Sequence, residues 1–121
     1  MDELIGRLVA NVGVDRDAAQ KAVGIILDFL VKEGPPDKVQ ALIDKLPGGQ
    51  AVLDAQKGDE GGGMFAMGGL MGAGTKMMAA GLSMGQVQAV TKEVIAYARE
   101  KAGEDAVGEI VGAIPGLSQF V

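Results

Sequence analysis

The chain has 121 residues, of which 48% are hydrophobic and 22% charged, so its composition is that of one folded domain and not of a disordered segment. It contains no cysteine and no histidine, which excludes disulfides, thiolate metal sites and catalysis by thiol or imidazole groups. A net charge of −5 without a basic cluster argues against nucleic acid as a partner.

The first third of the chain shows two segments of helical periodicity. Residues 2–12 carry apolar side chains at helical spacing, and Gly13 is expected to end this first helix. Asp15 is expected to cap the second helix by accepting hydrogen bonds from the amides of its first turn. That helix extends to about Glu33, and its wide apolar stripe is typical of a helix in the middle of a bundle.

Prolines mark both ends of a third helix. Pro35 and Pro36 suit a first helical turn, because the amide hydrogen that proline lacks has no partner there. Pro47 ends the helix, and the segment 50–56 is expected to add one turn. Residues 57–63 combine charges with consecutive glycines, which predicts a loop.

The second half of the chain opens with a stretch rich in glycine and methionine, residues 61–81, which is followed by two further helices. Ser83 and Gln86 form a capping-box pattern at the start of a helix expected over 83–101. A final helix carries apolar residues between positions 107 and 114 and ends at a proline.

The two halves resemble each other at an offset of 68 residues without gaps, which places residues 69–121 on residues 1–53. The matched pairs include Gly13 with Gly81, Phe29 with Tyr97, and Pro47 with Pro115. This register predicts an internal repeat. It also predicts that the stretch from about Met64 to Ala80 is a helix equivalent to the first one, and not a linker.

On this predicted helix, Met77 and Ala80 lie on the face assigned to the core, and the other methionines lie on roughly the opposite face. The candidate partner interface consists of the outer methionines and two nearby glycines: Met64, Met67, Met71, Met78, Gly68 and Gly72. Three interpretations of this apolar surface are a buried central helix, a self-association or protein-partner interface, and reversible membrane association. Methionine thioethers also suit Cu(I), but no other feature suggests a metal site or a cofactor.

Residues 39–48 and 107–121, with the Met/Gly segment between them, resemble a family of small all-helical bacterial proteins of unknown function. The resemblance covers essentially the whole chain. It implies an all-helical cytoplasmic domain, and it supplies no catalytic residue, cofactor or substrate. The acidic N-terminal residues, which do not resemble a targeting segment, lead to the same expectation of a cytoplasmic protein.

The sequence as a whole predicts a single all-α domain over residues 1–121, with about six helices in two pseudo-repeated three-helix units. It contains no recognisable catalytic constellation, so we expect a protein that is not an enzyme. The leading hypothesis is an interaction or scaffold domain that self-associates through apolar helix surface. The alternative is a carrier or sensor of an apolar small molecule or lipid held between the two halves.

Overall fold

A computed structural model of the chain describes residues 2–59, 69–114 and 117, and the side chains of these residues apart from 55–59 and 69–73. This part of the chain forms seven α-helices and no strand. In chain order the helices are α1 (Asp2–Asn11), α2 (Arg16–Glu33), α3 (Pro36–Lys45), α4 (Gly49–Asp59), α5 (Gly69–Ala79), α6 (Met84–Ala102) and α7 (Glu104–Ala113). The predicted all-α class is confirmed.

The two longest helices, α2 and α6, form the middle of the bundle. α2 packs against α1, α3, α4, α5 and α6, and α6 packs against α1, α2, α3, α5 and α7. Residues 22–30 of α2 are all buried, whereas Lys92 and Ala96 of α6 are exposed. A helix that is buried on all sides needs a neighbour on each of them, and the five helices around α2 together cover it over these residues.

The core is aliphatic, as the low aromatic content of the chain predicts. Among its largest fully buried side chains are Leu4, Leu8, Leu27, Leu30, Ile95, Tyr97 and Ile110. Burying one leucine of this kind contributes about 1.5–3 kcal/mol to folding. Ten-residue helices such as α1 and α3 are marginal on their own in water, so the shared core stabilises them.

The helix α4 differs from the sequence prediction. One turn was expected over 50–56 and a loop over 57–63, but α4 extends from Gly49 to Asp59, and there are therefore seven described helices where about six were expected. Glycine and charge disfavour a helix locally, but packing of α4 against α2 outweighs that preference. Residues 60–63 of the expected loop lie outside the described residues.

The stretch rich in glycine and methionine is helical as far as the structure describes it. α5 extends from Gly69 to Ala79, which confirms the helix prediction for these residues. Residues 64–68, where the helix was expected to begin, lie outside the described part of the chain. No helix in the described part is both long enough and apolar enough to cross a membrane.

Candidate functional site

The connection between α5 and α6, residues 77–86, forms a sharp corner with a well-defined backbone. At the end of α5, the amide of Leu82 donates a hydrogen bond to the carbonyl of Met77 at 3.2 Å. Gly81 has a φ of +106°, a conformation that residues with a side chain adopt only at a cost. Glycine at this position therefore allows the chain to leave α5 and to enter α6 directly.

A capping box fixes the start of α6, as the sequence predicts. The amide of Gln86 donates to the Ser83 hydroxyl oxygen at 3.3 Å, and the amide of Ser83 donates to the Gln86 side-chain oxygen at 2.9 Å. Two backbone amides that lack partners within the helix are satisfied in this way. Hydrogen bonds therefore fix the backbone at both ends of the corner, at the end of α5 and at the start of α6.

Buried and exposed apolar side chains alternate along this corner. Met77 is 1% exposed and Leu82 is 4% exposed, so both belong to the core. Met78 is 46% exposed and Met84 is 60% exposed. Among the described residues, the exposed large hydrophobic side chains are these two methionines and Val9. Two of the three thus lie on one short segment.

The sequence around the corner is almost uncharged. Between Glu60 and Lys92 the only charged residue is Lys76. The whole chain has a net charge of −5, so two copies repel each other electrostatically, but this segment adds little to that repulsion. The corner is apolar, backbone-constrained and nearly neutral, which suits an interface better than it suits a catalytic site.

The six predicted interface residues fall into three groups. Met78 lies on the exposed surface of the corner. Met71 and Gly72 belong to α5, but only their backbone is described. The other three residues lie outside the described residues altogether: Met64, Met67 and Gly68.

Sequence reasoning missed Met84, the most exposed of the large hydrophobic residues in the described structure. The prediction ended at the last glycine of the Gly/Met stretch, and Met84 lies beyond it, in the first turn of α6. The exposure of Met84 could have been inferred from its position directly after the capping serine, Ser83, where a large apolar side chain has no capping role.

A polar cluster joins α1 to α6 on another part of the molecule. The Arg7 guanidinium donates to both carboxylate oxygens of Glu100, at 2.6 Å and 3.2 Å, and these hydrogen bonds hold the pKa of Glu100 below its ordinary value. Arg7 and Lys101 lie 5.7 Å and 5.5 Å from the centre of the buried Tyr97 ring, within the range of cation–π attraction. The cluster connects two helices and has the character of a structural contact.

Asp28 is a buried carboxylate that the sequence reading did not single out. It is 4% exposed, and one of its oxygens lies 2.9 Å from the ammonium of Lys32, one turn later in α2. Burial of a charge requires a partner of this kind. The part of the chain that the structure describes contains no group of three acidic residues able to hold a metal ion.

Two clefts in the described structure could accept a small ligand. One is an open groove of about 340 Å³ lined by Asp2, Ile5, Arg16, Gln20, Pro47, Gly48 and Val52. The other, between α3 and α7, has a volume of about 100 Å³. Drug-sized ligands occupy pockets of roughly 300–1,000 Å³ that enclose most of their surface. The first cleft has such a volume but is open and lined partly by charged side chains, and the second is too small, so neither favours the apolar carrier over the interaction domain.

No known protein family, no curated protein and no solved structure shows significant similarity to this chain.

Proposed function

We propose that this protein is a non-enzymatic interaction domain that self-associates through the α5–α6 corner. The observation that carries the proposal is the pair of exposed methionines, Met78 and Met84, on a corner whose backbone is held by a glycine turn and a capping box. In keeping with the resemblance stated above, we place it among small all-helical cytoplasmic proteins of bacteria.

A second copy of the same chain is the partner that this surface suits. In a two-fold interface the same patch contributes twice, so four methionines of two chains would be removed from water. Because Met78 and Met84 are already about half buried in the single chain, covering each of them contributes roughly half of the 1.5–3 kcal/mol for full burial, before the cost of association is subtracted. The unbranched thioether side chain adapts to an opposing surface, and the neutral segment allows two acidic chains to approach each other there.

The proposal includes the internal repeat, with two three-helix units in one domain. Its support is that α1, α2 and α3, moved by 68 residues, match the bounds of α5, α6 and α7 to within one residue. Gly13 and Gly81, at equivalent positions, both have positive φ. The first helix of each unit also packs against the central helix of the other, since α1 contacts α6 and α5 contacts α2.

Sedimentation velocity on two matched variants tests the proposal. Met84→Glu places a charge on the corner, and Ala51→Glu places the same charge on an exposed position in the first turn of α4. We expect Met84→Glu to weaken dimerisation by about tenfold or more, which corresponds to at least about 1.4 kcal/mol, and Ala51→Glu to leave it unchanged. Equal effects of the two substitutions would contradict the proposal.

A further inference from the structure

The chain offers few groups that mild oxidants can attack. It has no cysteine, no histidine and no tryptophan, and its one tyrosine, Tyr97, is 1% exposed. The methionine thioethers are therefore the groups that hydrogen peroxide oxidises most readily in this protein. Susceptibility to oxidation follows exposure, and the described methionines differ greatly in exposure.

The contrast is sharpest between neighbours at the corner. Met77 is 1% exposed, whereas Met78 and Met84 are 46% and 60% exposed. An oxidant that diffuses through solvent reaches the sulfurs of the exposed pair and is kept from the sulfur of Met77 by the core. Because Leu82 and the capping box fix the corner, this difference is built into the fold.

We infer that Met78 and Met84 are oxidation sites and that their oxidation by a peroxide prevents the self-association proposed above, on which this inference rests. The thioether sulfur attacks one peroxide oxygen, an S–O bond forms and the O–O bond breaks. The sulfur loses two electrons, and the departing hydroxide takes the proton from the newly bonded oxygen and leaves as water. The product is methionine sulfoxide, a polar group in place of an apolar one.

Self-association and methionine oxidation oppose each other. In the associated form the corner is covered, so the two sulfurs are protected. In the free chain they are exposed, and once oxidised they would have to bring a polar sulfoxide into an apolar contact, which costs free energy without a hydrogen-bond partner. Methionine sulfoxide reductases reverse the modification, so the control is reversible.

The experiment treats the full chain with hydrogen peroxide at concentrations below and above the onset of association. Peptide mapping by mass spectrometry measures oxidation at positions 77, 78 and 84, and sedimentation velocity measures association. In dilute solution we expect Met78 and Met84 to be oxidised at least about tenfold faster than Met77, because their exposure differs. In concentrated solution this difference in oxidation rate should decrease, because association covers the corner. The oxidised chain should be monomeric, and treatment with sulfoxide reductases should restore its association.

The double substitution Met78→Leu with Met84→Leu supplies the matched control, since it keeps the surface apolar and removes the two exposed sulfurs of the corner. The association of this variant before treatment is its own reference, and peroxide treatment should leave that association unchanged. Oxidation of Met77 at the rate of the other two would overturn the site assignment. Association of the oxidised chain, or loss of association by the double variant after treatment, would overturn the redox control alone. A chain that is monomeric before any treatment would overturn the proposed function together with the control.

Discussion

The α1–α2 corner and the α5–α6 corner have similar backbones and different surfaces. Each has a glycine of positive φ, then a buried aliphatic residue, then an extended N-cap residue; the pairs are Gly13 with Gly81, Val14 with Leu82, and Asp15 with Ser83. Among the exposed positions beside them, Ala10 and Arg16 at the first corner correspond to Met78 and Met84 at the second. A few constrained residues thus define the turn, and the neighbouring surface positions can differ without changing it.

The two corners differ in how readily their exposed side chains can be covered by a partner. Covering an arginine with an apolar partner surface is unfavourable, because the charged side chain would lose its hydration. An exposed methionine has no such cost and gains free energy when it is covered. The difference at these two surface positions is the reason why we propose self-association at the α5–α6 corner and not at the α1–α2 corner.

The buried anchors should give the largest effects on stability. Leu82→Ala removes three carbons from the core and is expected to cost about 2–5 kcal/mol of unfolding free energy. Val14→Ala removes two carbons and should cost less, about 1.5 kcal/mol from transfer alone. Urea denaturation of both variants at equal protein concentration measures the difference. A larger loss for Val14→Ala would show that the two corners are not anchored alike.

Substitution of the two turn glycines should have the next largest effect on stability. An added Cβ would meet no atom within 4 Å at Gly13 or Gly81, so the cost of Gly→Ala at either position is backbone strain alone, about 1–2 kcal/mol. Gly74→Ala is the matched control, because this helical glycine of α5 has equally open surroundings and no positive φ. The control should stabilise the protein by about 0.5–1 kcal/mol. A loss of stability in the control would contradict the strain interpretation.

The two N-caps should behave differently. Ser83 makes a complete capping box, whereas the Asp15 side chain accepts no capping hydrogen bond. Ser83→Ala should therefore cost about 1 kcal/mol, while Asp15→Ala loses only the attraction between a carboxylate and the helix dipole, about 0.3–1 kcal/mol and sensitive to salt. Thermal unfolding at low and at high salt separates these contributions. Equal, salt-independent losses would refute the distinction.

The smallest expected effect belongs to the ion pair between Arg7 and Glu100. The hydrogen bonds from Arg7 lower the pKa of Glu100 in the folded state, so this pair stabilises the protein above the ordinary pKa of glutamate. The contribution is lost as the pH falls through the lowered pKa. Arg7 is partly exposed and Glu100 is exposed, which keeps the contribution small and sensitive to salt.

Comparison of the unfolding free energies of the wild-type protein and Glu100→Gln from pH 7 to pH 3 measures this contribution. The two curves should converge as the pH falls. Curves that stay parallel over the whole range would mean that the ion pair is not responsible for the difference.

The parts of the fold that depend on local chemistry could be predicted from the sequence. Helix α3 begins at its prolines and ends before Pro47, and α6 begins at the capping box, because these residues restrict the backbone at their own positions. For the same reason Asp15 was placed correctly at an N-cap. The capping hydrogen bond itself was predicted wrongly, since it depends on the side-chain conformation and not only on the position.

Features that depend on distant parts of the chain could not be predicted in this way. α4 was expected to be one turn, but it is 11 residues long. Its packing against α2 stabilises it, and the local sequence does not reveal that packing. The Arg7–Glu100 pair joins residues 93 positions apart, with no local signal. The exposure of Met84 is likewise a property of the assembled bundle, because periodicity alone does not show which end of a helix stays uncovered.

The dependence of molar mass on concentration, measured by light scattering, tests self-association through the α5–α6 corner. The corner-exchange variant Met84→Arg gives the second corner the residue found at Arg16 of the first. The wild-type protein should have twice the 12.3 kDa mass of the chain at high concentration and approach 12.3 kDa on dilution. Met84→Arg should remain at 12.3 kDa over the same range. A wild-type protein that is monomeric throughout, or a variant that dimerises as the wild type does, would contradict self-association at this corner.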